Sequence, residues 1–338
     1  MTKIAYVYKQ KGTDAAWSSV IAELGVYLCE QDARIRTFRL DNSHRQSLQA
    51  SRQALVDYDL STGDILLINH AICFWLLLPL LLRLRRRGVR LVFLFHEHEH
   101  ILGLGYCLRH LGEIRVKEWL RHIKLWYRIP SWLSEQMVCL SSYQAVVLGR
   151  LAFERLSYLG VDVGRFPVCE RQQLVNGVGG NAVVLFAHDP ARFDKGGRFC
   201  SVVSQDPRFS LVYGRDRILP YAEVYKKYHD VDIVFLPSDS ESFSLVLAEA
   251  LATNRCVVTN ANVGIVQLLL SSYTVDELAS RGLFVCAHSM DGYRDGLERA
   301  AAYILSDEVK THELFSALRL DLPTAFERLN LFIKRIGG

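Results

Sequence analysis

Ten short runs rich in Val, Ile, Leu and Phe recur along the chain and are separated by longer segments with helical spacing. Most of these runs do not alternate with polar residues, which is typical of strands buried on both faces in parallel sheets covered by helices. The pattern therefore predicts an α/β fold made of doubly wound parallel sheets. The predicted strands are KIAYVY, ARIRTFRL, DILLIN, RLVFLF, QMVCLS, NAVVLFAH, FSLVYG, DIVFLP, RCVVT and LFVCAH.

The chain has 338 residues, which is too long for one typical hydrophobic core and suits two domains. Between the fifth and sixth predicted strands lies VCERQQLVNGVGGN, residues 168–181, whose glycines suit a flexible connection. We predict a first Rossmann-like domain over 1–172 and a second over 173–322, facing each other across a cleft. The C-terminal helix, 323–338, is expected to pack back on the first domain.

Composition argues against several classes of protein. The eight cysteines are scattered singly, so reduced thiols are expected rather than a disulfide framework or a zinc knuckle. A net charge of +4 is small for this length and does not indicate a nucleic-acid-binding protein. We expect no signal peptide before the first predicted strand, and the most apolar run, residues 71–82, is too short to span a bilayer. We expect a cytoplasmic protein.

One region of the chain is strongly basic. Residues 71–133 hold eleven Lys and Arg against four Asp and Glu, so the remainder of the chain is acidic on balance. The last part, RVKEWLRHIKLWYRIPSWL (115–133), interleaves Trp and Tyr with cations, as a helix lying on an anionic lipid surface does. The alternative is a solvated helix face whose aromatic rings pack into the domain. The first interpretation predicts peripheral attachment to a membrane.

Parallel α/β sheets bind ligands at the carboxyl ends of their strands, so residues at these ends are the candidate site residues. In the first domain they are Gly12, Asn69, His70, His96, Ser141 and Ser142. In the second domain they are His188, Asp189, Gly214, Ser238, Asp239, Ser240, Glu241 and Asn260.

The stretch LFHEHEHI, residues 94–101, alternates three histidines with two glutamates. On an extended chain His96, His98 and His100 would face one way, and three such ligands could bind zinc. A histidine at a strand end can instead be a structural residue held by a hydrogen bond. From these residues alone, both interpretations stay open.

The segment DIVFLPSDSESFSLVLAEALATNRCVVTN, residues 232–260, is the most informative. A buried strand leads through a polar turn into a helix that is apolar except for Glu249, and a buried carboxylate requires a partner. That partner can be a neighbouring arginine or the hydroxyl pair of a ligand. At the start of the helix, the backbone N–H groups of Phe243, Ser244 and Leu245 and the helix dipole favour an anion such as phosphate. Because Glu241 precedes this anion site, the strand end suits a nucleotide-linked sugar.

The stretch ESFSLVLAE, from Glu241 to Glu249, resembles the E-x7-E motif of retaining glycosyltransferases with the GT-B fold, in particular glycosyltransferase family 4. The flanking EVYKKYHDVDIVFLPS and NRCVVTNANVG are similar to the elements around that motif. Upstream, LFAHDPARFDKGG is similar to the family's strand and R-x(n)-K-G element. The resemblance covers nearly all of the second domain, and the first matches loosely. The sequence departs from the family at Ser244, where a glycine is usual, and at ATNRCVV, which lacks a usual Gly and Pro.

The resemblance implies a role for each matching residue. Glu241 would hydrogen-bond the hydroxyls of the donor sugar, and Glu249 those of the ribose. Arg192 and Lys195 would neutralise the diphosphate and stabilise the leaving group as the glycosidic bond breaks. His96 would face the donor sugar. The remaining residues assigned to the donor are Gly12, Gly214, Phe243, Ser244 and Leu245.

The resemblance, together with these features, implies a retaining, metal-independent glycosyltransferase that needs no cofactor besides its nucleotide diphosphate sugar donor. The acceptor would be a glycan or a lipid-linked molecule held by the first domain. The basic aromatic segment points to an acceptor at the inner face of an anionic membrane, as in the synthesis of bacterial polysaccharide or lipopolysaccharide. Alternatives on the same fold are a nucleotide-sugar epimerase, a sugar phosphorylase, or a non-catalytic protein that binds carbohydrate or membrane. No nucleic-acid partner is expected.

Overall fold

The computed structural model describes residues 2–9, 16–41, 45–97, 99–110, 123–140, 144, 148, 153–169, 181–214, 221–306 and 308–338. The chain forms two compact units, Met1–Leu159 together with Ala325–Gly338, and Gly160–Thr324. The first unit therefore ends ahead of the predicted boundary at residue 172. Residues after Leu159 belong to the second unit through a parallel bridge between Val161 and Asp321 and a hydrogen bond from the Cys169 N–H to the Thr253 carbonyl.

The described residues of the first unit form a six-stranded parallel sheet with helices between the strands. The strand order is β2-β1-β3-β4-β5-β6, which is the doubly wound pattern. Its elements are β1 (Ile4–Lys9), α1 (Ala16–Gln31), β2 (Ile35–Leu40), α2 (Arg45–Asp57), β3 (Ile65–Asn69), α3 (Ala71–Arg86), β4 (Arg90–Phe95), α4 (Glu99–Arg109), α5 (Lys124–Leu133), β5 (Gln136–Cys139) and β6 (Glu154–Arg155).

Helix α3 shows why the most apolar run of the sequence belongs to a core. It packs on β1, β3, β4 and α5 and buries Phe74, Leu77 and Leu81, while the arginines of its last turn are exposed. Cations at a helix C-terminus are stabilised by the helix dipole. None of the helices in the described part of the chain combines the length and apolarity needed to cross a bilayer.

The described residues of the second unit form a five-stranded parallel sheet in the order β11-β10-β9-β7-β8. The C-terminal helix starts at the end of this unit and belongs to the first unit from Ala325 onwards. The elements are β7 (Ala182–Phe186), α6 (Cys200–Ser204), β8 (Phe209–Tyr213), α7 (Tyr221–His229), β9 (Ile233–Leu236), α8 (Leu245–Ala252), β10 (Cys256–Asn260), α9 (Gly264–Leu269), α10 (Val275–Ala279), β11 (Leu283–Cys286), α11 (Met290–Ser306), α12 (Thr311–Leu318) and α13 (Leu322–Gly337).

Each of the ten predicted runs coincides with one of these strands, so the predicted parallel α/β class is confirmed. The prediction from continuous apolar runs succeeds because the central strands are buried on both faces. Strands β3, β7, β9 and β10 are buried along their whole length. Strand β6 was not predicted. It is two polar residues at the sheet edge, which no apolar run marks.

Candidate functional site

The connection between β9 and α8 is a buried polar loop. All residues from Pro237 to Ser244 are buried, so their polar groups require partners. The turn after β10 supplies several of them. The Asn260 amide donates to the Ser238 carbonyl over 2.9 Å, and Glu241 exchanges backbone hydrogen bonds with Asn262 and Gly264 over 3.1 and 3.0 Å. The loop is thereby fixed at the carboxyl edge of the second sheet.

An ion pair between Lys195 and Glu241 lies at this edge. Lys195 Nζ is 2.7 Å from Glu241 Oε1, and the Ser238 hydroxyl donates to the same oxygen over 3.2 Å. Lys195 is 7% exposed and Glu241 9%, so water screens the pair little. Sequence reasoning placed both residues in the site, and the structure brings them into direct contact.

Gly196 makes the close approach of the two loops possible. Its φ of 76° is in the left-handed region, and a Cβ there would lie 2.1 Å from the carbonyl oxygen of Pro237. Only glycine fits both conditions. The short helical turn Phe193–Lys195 can therefore pack directly against the loop that carries Glu241.

A second charged cluster ties the same loops together. The Arg198 guanidinium pairs with both carboxylate oxygens of Asp239 and stacks on the ring of Phe193 at 4.4 Å. His288 Nε2 lies 2.7 Å from Asp239 Oδ1, and its Nδ1 lies 2.6 Å from the hydroxyl oxygen of Tyr293. Arg198 and His288 were not predicted as site residues. The only signal was their position, just after the KGG motif and at the end of the last predicted strand.

Arg192 takes a different position from Lys195. Its guanidinium pairs with both oxygens of Asp194, at 2.7 and 2.5 Å, and the side chain is 52% exposed. Asp194 Oδ2 is in turn 3.9 Å from Lys195 Nζ. A diphosphate would therefore compete with Asp194 for Arg192. The role of Arg192 at the donor stays a prediction.

Glu249 has a protein partner that the sequence did not suggest. It is 2% exposed in α8 and accepts a hydrogen bond of 2.7 Å from the phenol of Tyr228 in α7. The sequence led us to expect an arginine or a ligand hydroxyl pair. A phenol offsets part of the desolvation of the carboxylate without adding a charge. The ribose contact of Glu249 stays a prediction.

Ser244 caps α8 in a backbone conformation that suits glycine. Its φ is 80° and its hydroxyl accepts a hydrogen bond of 3.3 Å from the Leu247 N–H. Before it, Phe243 is buried, and its carbonyl accepts from Ile265 N–H over 3.3 Å. Leu245 opens the helix and is partly exposed. Anion binding by these three N–H groups stays a prediction.

Replacing Ser244 separates backbone strain from capping. Ser244→Gly relieves a strain of about 1–3 kcal/mol and loses only a few tenths at the cap, so we expect the free energy of unfolding to rise by about 1 kcal/mol. Ser244→Ala keeps the strain and loses the cap, so the free energy of unfolding should fall by about 1 kcal/mol. Urea denaturation of both variants measures this. Two changes of the same sign would contradict the assignment.

His188, just beyond the end of β7, lies beside the ion pair. Its Nε2 is 3.6 Å from Glu241 Oε1. Burial, together with the positive charge of Lys195, lowers the pKa of His188 from its ordinary 6.5 to about 3. The imidazole is therefore neutral at physiological pH.

The lowered pKa of His188 has a consequence for stability. The unfolded chain binds a proton at this group below about pH 6.5 and the folded chain only near pH 3, so His188 favours unfolding increasingly as pH falls through that window. The unfolding free energy of His188→Gln minus that of wild type should therefore rise by about 1–2 kcal/mol when the pH is lowered from 7.5 to 5. Urea denaturation at both pH values measures it, and an unchanged difference would contradict the lowered pKa.

Gly214 follows β8, and Gly12 lies outside the described residues. The Gly214 N–H donates to the Phe186 carbonyl over 2.7 Å, and a Cβ at Gly214 would lie 2.5 Å from the Ala187 carbonyl oxygen. Gly214 therefore allows the ends of β7 and β8 to approach beside His188. Other candidates outside the described residues are His98, Ser141, Ser142 and residues 115–122 of the basic aromatic segment.

In the first unit, His96 follows β4 and its Nδ1 lies 3.5 Å from the hydroxyl oxygen of Tyr158. Glu97 is buried and contacts His70. The chain turns into α4 at Glu99, so the extended alternation that zinc binding would require does not continue to residue 101. Among the described residues no group of three or more metal-ligating side chains is found.

The two units of doubly wound parallel sheet define the class of fold, and comparison with solved structures identifies the fold within that class. No protein-family model matches the chain, and no curated protein matches it in sequence. Sucrose-phosphate synthase from Thermosynechococcus elongatus is similar in structure, with a TM-score of 0.72, 14% identity and 99% of each chain covered.

Two further solved structures agree. HepE of Anabaena, in complex with UDP-glucose, matches with a TM-score of 0.62 and 14% identity, covering 99% of this chain and 100% of that one. WaaG, a glycosyltransferase involved in lipopolysaccharide biosynthesis, matches with a TM-score of 0.60 and 12% identity, covering 98% and 99%. The chain has the GT-B fold of these glycosyltransferases.

Proposed function

We propose that this protein is a retaining glycosyltransferase that transfers a sugar from a nucleotide diphosphate sugar to a glycan or lipid-linked acceptor. The observation that carries the proposal is the buried contact of Lys195 with Glu241 at the carboxyl edge of the second sheet. It brings a cation and a hydroxyl-binding carboxylate together next to the N-terminus of α8. A phosphate-linked sugar is the ligand that uses all three features.

Each group has a step to perform in this reaction. Lys195 and the N–H groups at the start of α8 meet the negative charge that develops on the diphosphate as its bond to the sugar breaks. Glu241 accepts hydrogen bonds from the sugar hydroxyls and orients the ring, and Glu249 does so for the ribose. The acceptor oxygen bonds to the anomeric carbon on the face that the diphosphate leaves, and the acceptor proton leaves with the diphosphate. We also assign His96 to the donor sugar, on the motif resemblance alone.

We also propose that no divalent metal is needed, because Lys195 and Arg192 supply the positive charge that a metal would otherwise bring to a diphosphate. The choice of donors for a first test follows from the structural neighbours. HepE is described with UDP-glucose, and Arabidopsis starch synthase IV with ADP and acarbose. UDP-linked and ADP-linked glucose are therefore the first donors to examine.

Donor hydrolysis tests the proposed reaction without knowledge of the acceptor. Incubation with a panel of nucleotide sugars should release nucleoside diphosphate from at least one of them, and Glu241→Gln should abolish this. Other outcomes identify the alternatives. Interconversion of donors without an acceptor indicates an epimerase, dependence on free phosphate a phosphorylase, and binding without any turnover a non-catalytic carbohydrate-binding protein. Unchanged release in Glu241→Gln would reject the proposed site.

The first unit carries surface features that suit a membrane-bound acceptor. Leu104 and Leu108 are exposed one turn apart on α4, and Leu125 and Trp132 are exposed two turns apart on α5, which packs on α4. Exposed arginines lie at the end of α3, which also contacts α5. Apolar side chains beside cations are what an anionic lipid surface attracts. We propose that these helices hold the protein on the inner face of the membrane, near a lipid-linked acceptor.

Liposome co-sedimentation tests this attachment. Reversing the charges at Arg121, Lys124 and Arg128 should lower binding to vesicles of anionic lipid by about 100-fold or more, since each cation near such a surface contributes about 1 kcal/mol. Leu125→Ser with Trp132→Ser should weaken it further. Leu305→Ser changes a leucine of the second unit that is somewhat more exposed than Leu125 and Trp132, and serves as the control. Binding that is independent of anionic lipid would contradict the attachment.

A further inference from the structure

His288 follows strand β11 and contacts the loop that carries Glu241. Its Nε2 is 2.7 Å from Oδ1 of Asp239, which lies two residues before Glu241. Its Nδ1 is 2.6 Å from the hydroxyl oxygen of Tyr293 in α11. Tyr293 is buried, and the Asn260 amide at the end of β10 donates to the same hydroxyl oxygen over 2.7 Å. These four side chains thus form one hydrogen-bonded chain, from Asn260 through Tyr293 and His288 to Asp239.

The backbone fixes the direction of this chain at Asn260. Its Oδ1 accepts a hydrogen bond of 2.7 Å from the Asn262 N–H, and its amide nitrogen donates to the Ser238 carbonyl over 2.9 Å. The amide group that contacts Tyr293 is therefore a donor, and the hydroxyl proton of Tyr293 is left for His288. Burial raises the pKa of the Tyr293 phenol, so the phenol keeps that proton. It follows that His288 Nδ1 is an acceptor.

The contacts at Asp239 give the other end of the chain the same direction. The Arg198 guanidinium pairs with both oxygens of Asp239, as it does with an ionised carboxylate, which only accepts hydrogen bonds. His288 Nε2 must then carry the proton between it and Asp239 Oδ1. Arg198 Nη2 also lies 3.5 Å from this nitrogen, a much weaker contact than the 2.7 Å to Asp239. A neutral imidazole with its proton on Nε2 satisfies both ends of the chain.

Asp239 connects the chain to both halves of the Lys195–Glu241 pair. Its N–H donates over 3.0 Å to the carbonyl of Asp194, the residue before Lys195. The neighbouring Ser238 hydroxyl donates to Glu241 Oε1 over 3.2 Å. Because Asp239 is only 8% exposed, its carboxylate depends on the partners that hold it. The chain therefore fixes the backbone from which Glu241 projects.

We propose that His288 is a positioning residue for the donor: together with Tyr293 it holds Asp239, and thereby keeps Glu241 in the orientation that binds the sugar. This inference rests on the proposed function and concerns residues to which the motif resemblance assigns no role. A site binds its ligand best when supporting hydrogen bonds hold the contacting groups in place beforehand. The affinity for the sugar part of the donor, rather than for its nucleotide, should therefore depend on His288.

Nitrogen-15 NMR of histidine-labelled protein at pH 8, above the ordinary pKa of histidine, tests the direction of the chain. His288→Gln assigns the signals. We expect a proton on Nε2 of His288 and a lone pair on Nδ1, and Tyr293→Phe should shift the Nδ1 signal because it removes the donor. His312 is the internal control with the opposite tautomer, since its Nδ1 lies 3.0 Å from the Ala252 carbonyl oxygen. A proton on Nδ1 of His288 in place of Nε2 would overturn the proposal.

Hydrogen exchange measures how firmly the loop is held without any ligand. The N–H groups of Asp239 and Glu241 are both hydrogen-bonded to neighbouring backbone. His288→Phe removes the donor to Asp239 and should speed exchange of both groups by about tenfold, whereas the amide of His288→Gln can still donate and should speed it less. His312→Phe makes the same change at a histidine that contacts the other end of α8, and should leave both groups unchanged. Unchanged exchange in His288→Phe would show that the imidazole does not hold the loop.

Binding of a donor and of its nucleoside diphosphate separates positioning from a general loss of structure. His288→Phe should weaken binding of UDP-glucose, or of whichever donor binds best, by about tenfold. Binding of UDP should change by less than about twofold, because in the proposed site Glu241 contacts only the sugar. Tyr293→Phe should act in the same way to a lesser extent. Equal weakening of the donor and the nucleoside diphosphate would reduce His288 to a structural residue and overturn the proposal.

A double variant shows whether the effect passes through Glu241. In the Glu241→Gln background, His288→Phe should weaken donor binding by less than about a further twofold, whereas losses that add in full would contradict a role through Glu241. If no donor binds the wild type, the proposed function fails. The tautomer of His288 and the exchange of the loop then still decide whether His288 positions Glu241.

Discussion

Lys195→Met is expected to lower the free energy of unfolding by about 3–5 kcal/mol, because it leaves the Glu241 carboxylate buried without its cation. The methionine fills most of the same volume, so a cavity contributes little. Guanidinium denaturation monitored by circular dichroism measures the change. Lys226→Met alters an exposed lysine of the same unit and should stay within about 0.5 kcal/mol of wild type.

The double variant Lys195→Met/Glu241→Gln distinguishes this cause from a general loss of packing. Removing both charges leaves no uncompensated ion, so the double variant should be more stable than Lys195→Met alone. The double-mutant cycle then gives a coupling energy well above 1 kcal/mol, whereas an exposed pair would give less. If the stability losses of the two single variants sum to the loss in the double variant, the Lys195–Glu241 contact does not stabilise the folded chain.

The second large effect is on catalysis. Lys195→Ala should lower the turnover of the best donor by about 10²–10³-fold, because in the proposed reaction the lysine stabilises the charge that develops on the departing diphosphate. Lys195→Arg keeps the charge but changes the donor geometry, so it should retain more activity than alanine. The measurement is the initial rate of nucleoside diphosphate release by wild type, Lys195→Ala and Lys195→Arg.

The comparison needs folded variants and a matched control. Circular dichroism at low temperature establishes folding, and Lys226→Ala should keep the rate of wild type. Arg192→Ala is informative as well, since Arg192 is half exposed and already paired with Asp194. It should lose less activity than Lys195→Ala. Equal losses of activity in Lys226→Ala and Lys195→Ala would show that Lys195 has no specific role in the reaction.

The strands and the polar ends of the second sheet could be predicted because their signals are local. Continuous apolar runs mark buried parallel strands, and a lone Glu249 in an apolar helix marks a carboxylate that requires a partner. The spacing of Glu241 and Glu249 and the KGG turn belong to single segments. The sequence assigned Lys195 and Glu241 to one site, but it did not predict that the two side chains contact each other.

The partners of these residues could not be predicted, because they come from distant segments. Arg198 meets Asp239 across 41 residues of sequence, and His288 meets it across 49. The phenol that contacts Glu249 lies 21 residues earlier, among other tyrosines of the same helix. Nothing in a single sequence states which of several cations or phenols reaches a given carboxylate.

The first unit shows a further limit of sequence patterns. The HEHEH alternation suggested an extended strand end, whereas the helix that begins at Glu99 interrupts it. The positive φ of His70 could not be predicted either, because no glycine stands at the junction of β3 and α3 to indicate it. Contacts made only in the folded chain, with Glu97 and the start of α3, determine both features.

Binding of a nucleotide diphosphate sugar to the site around Lys195 and Glu241 is the central claim, and isothermal titration calorimetry tests it most directly. UDP-glucose, ADP-glucose and GDP-mannose are each titrated into wild type, Glu241→Gln, Lys195→Arg and Lys226→Met. We predict that at least one donor binds wild type and Lys226→Met equally, and binds Glu241→Gln and Lys195→Arg at least about tenfold more weakly. Absence of binding to every donor, or equal affinity in all four proteins, would contradict the claim.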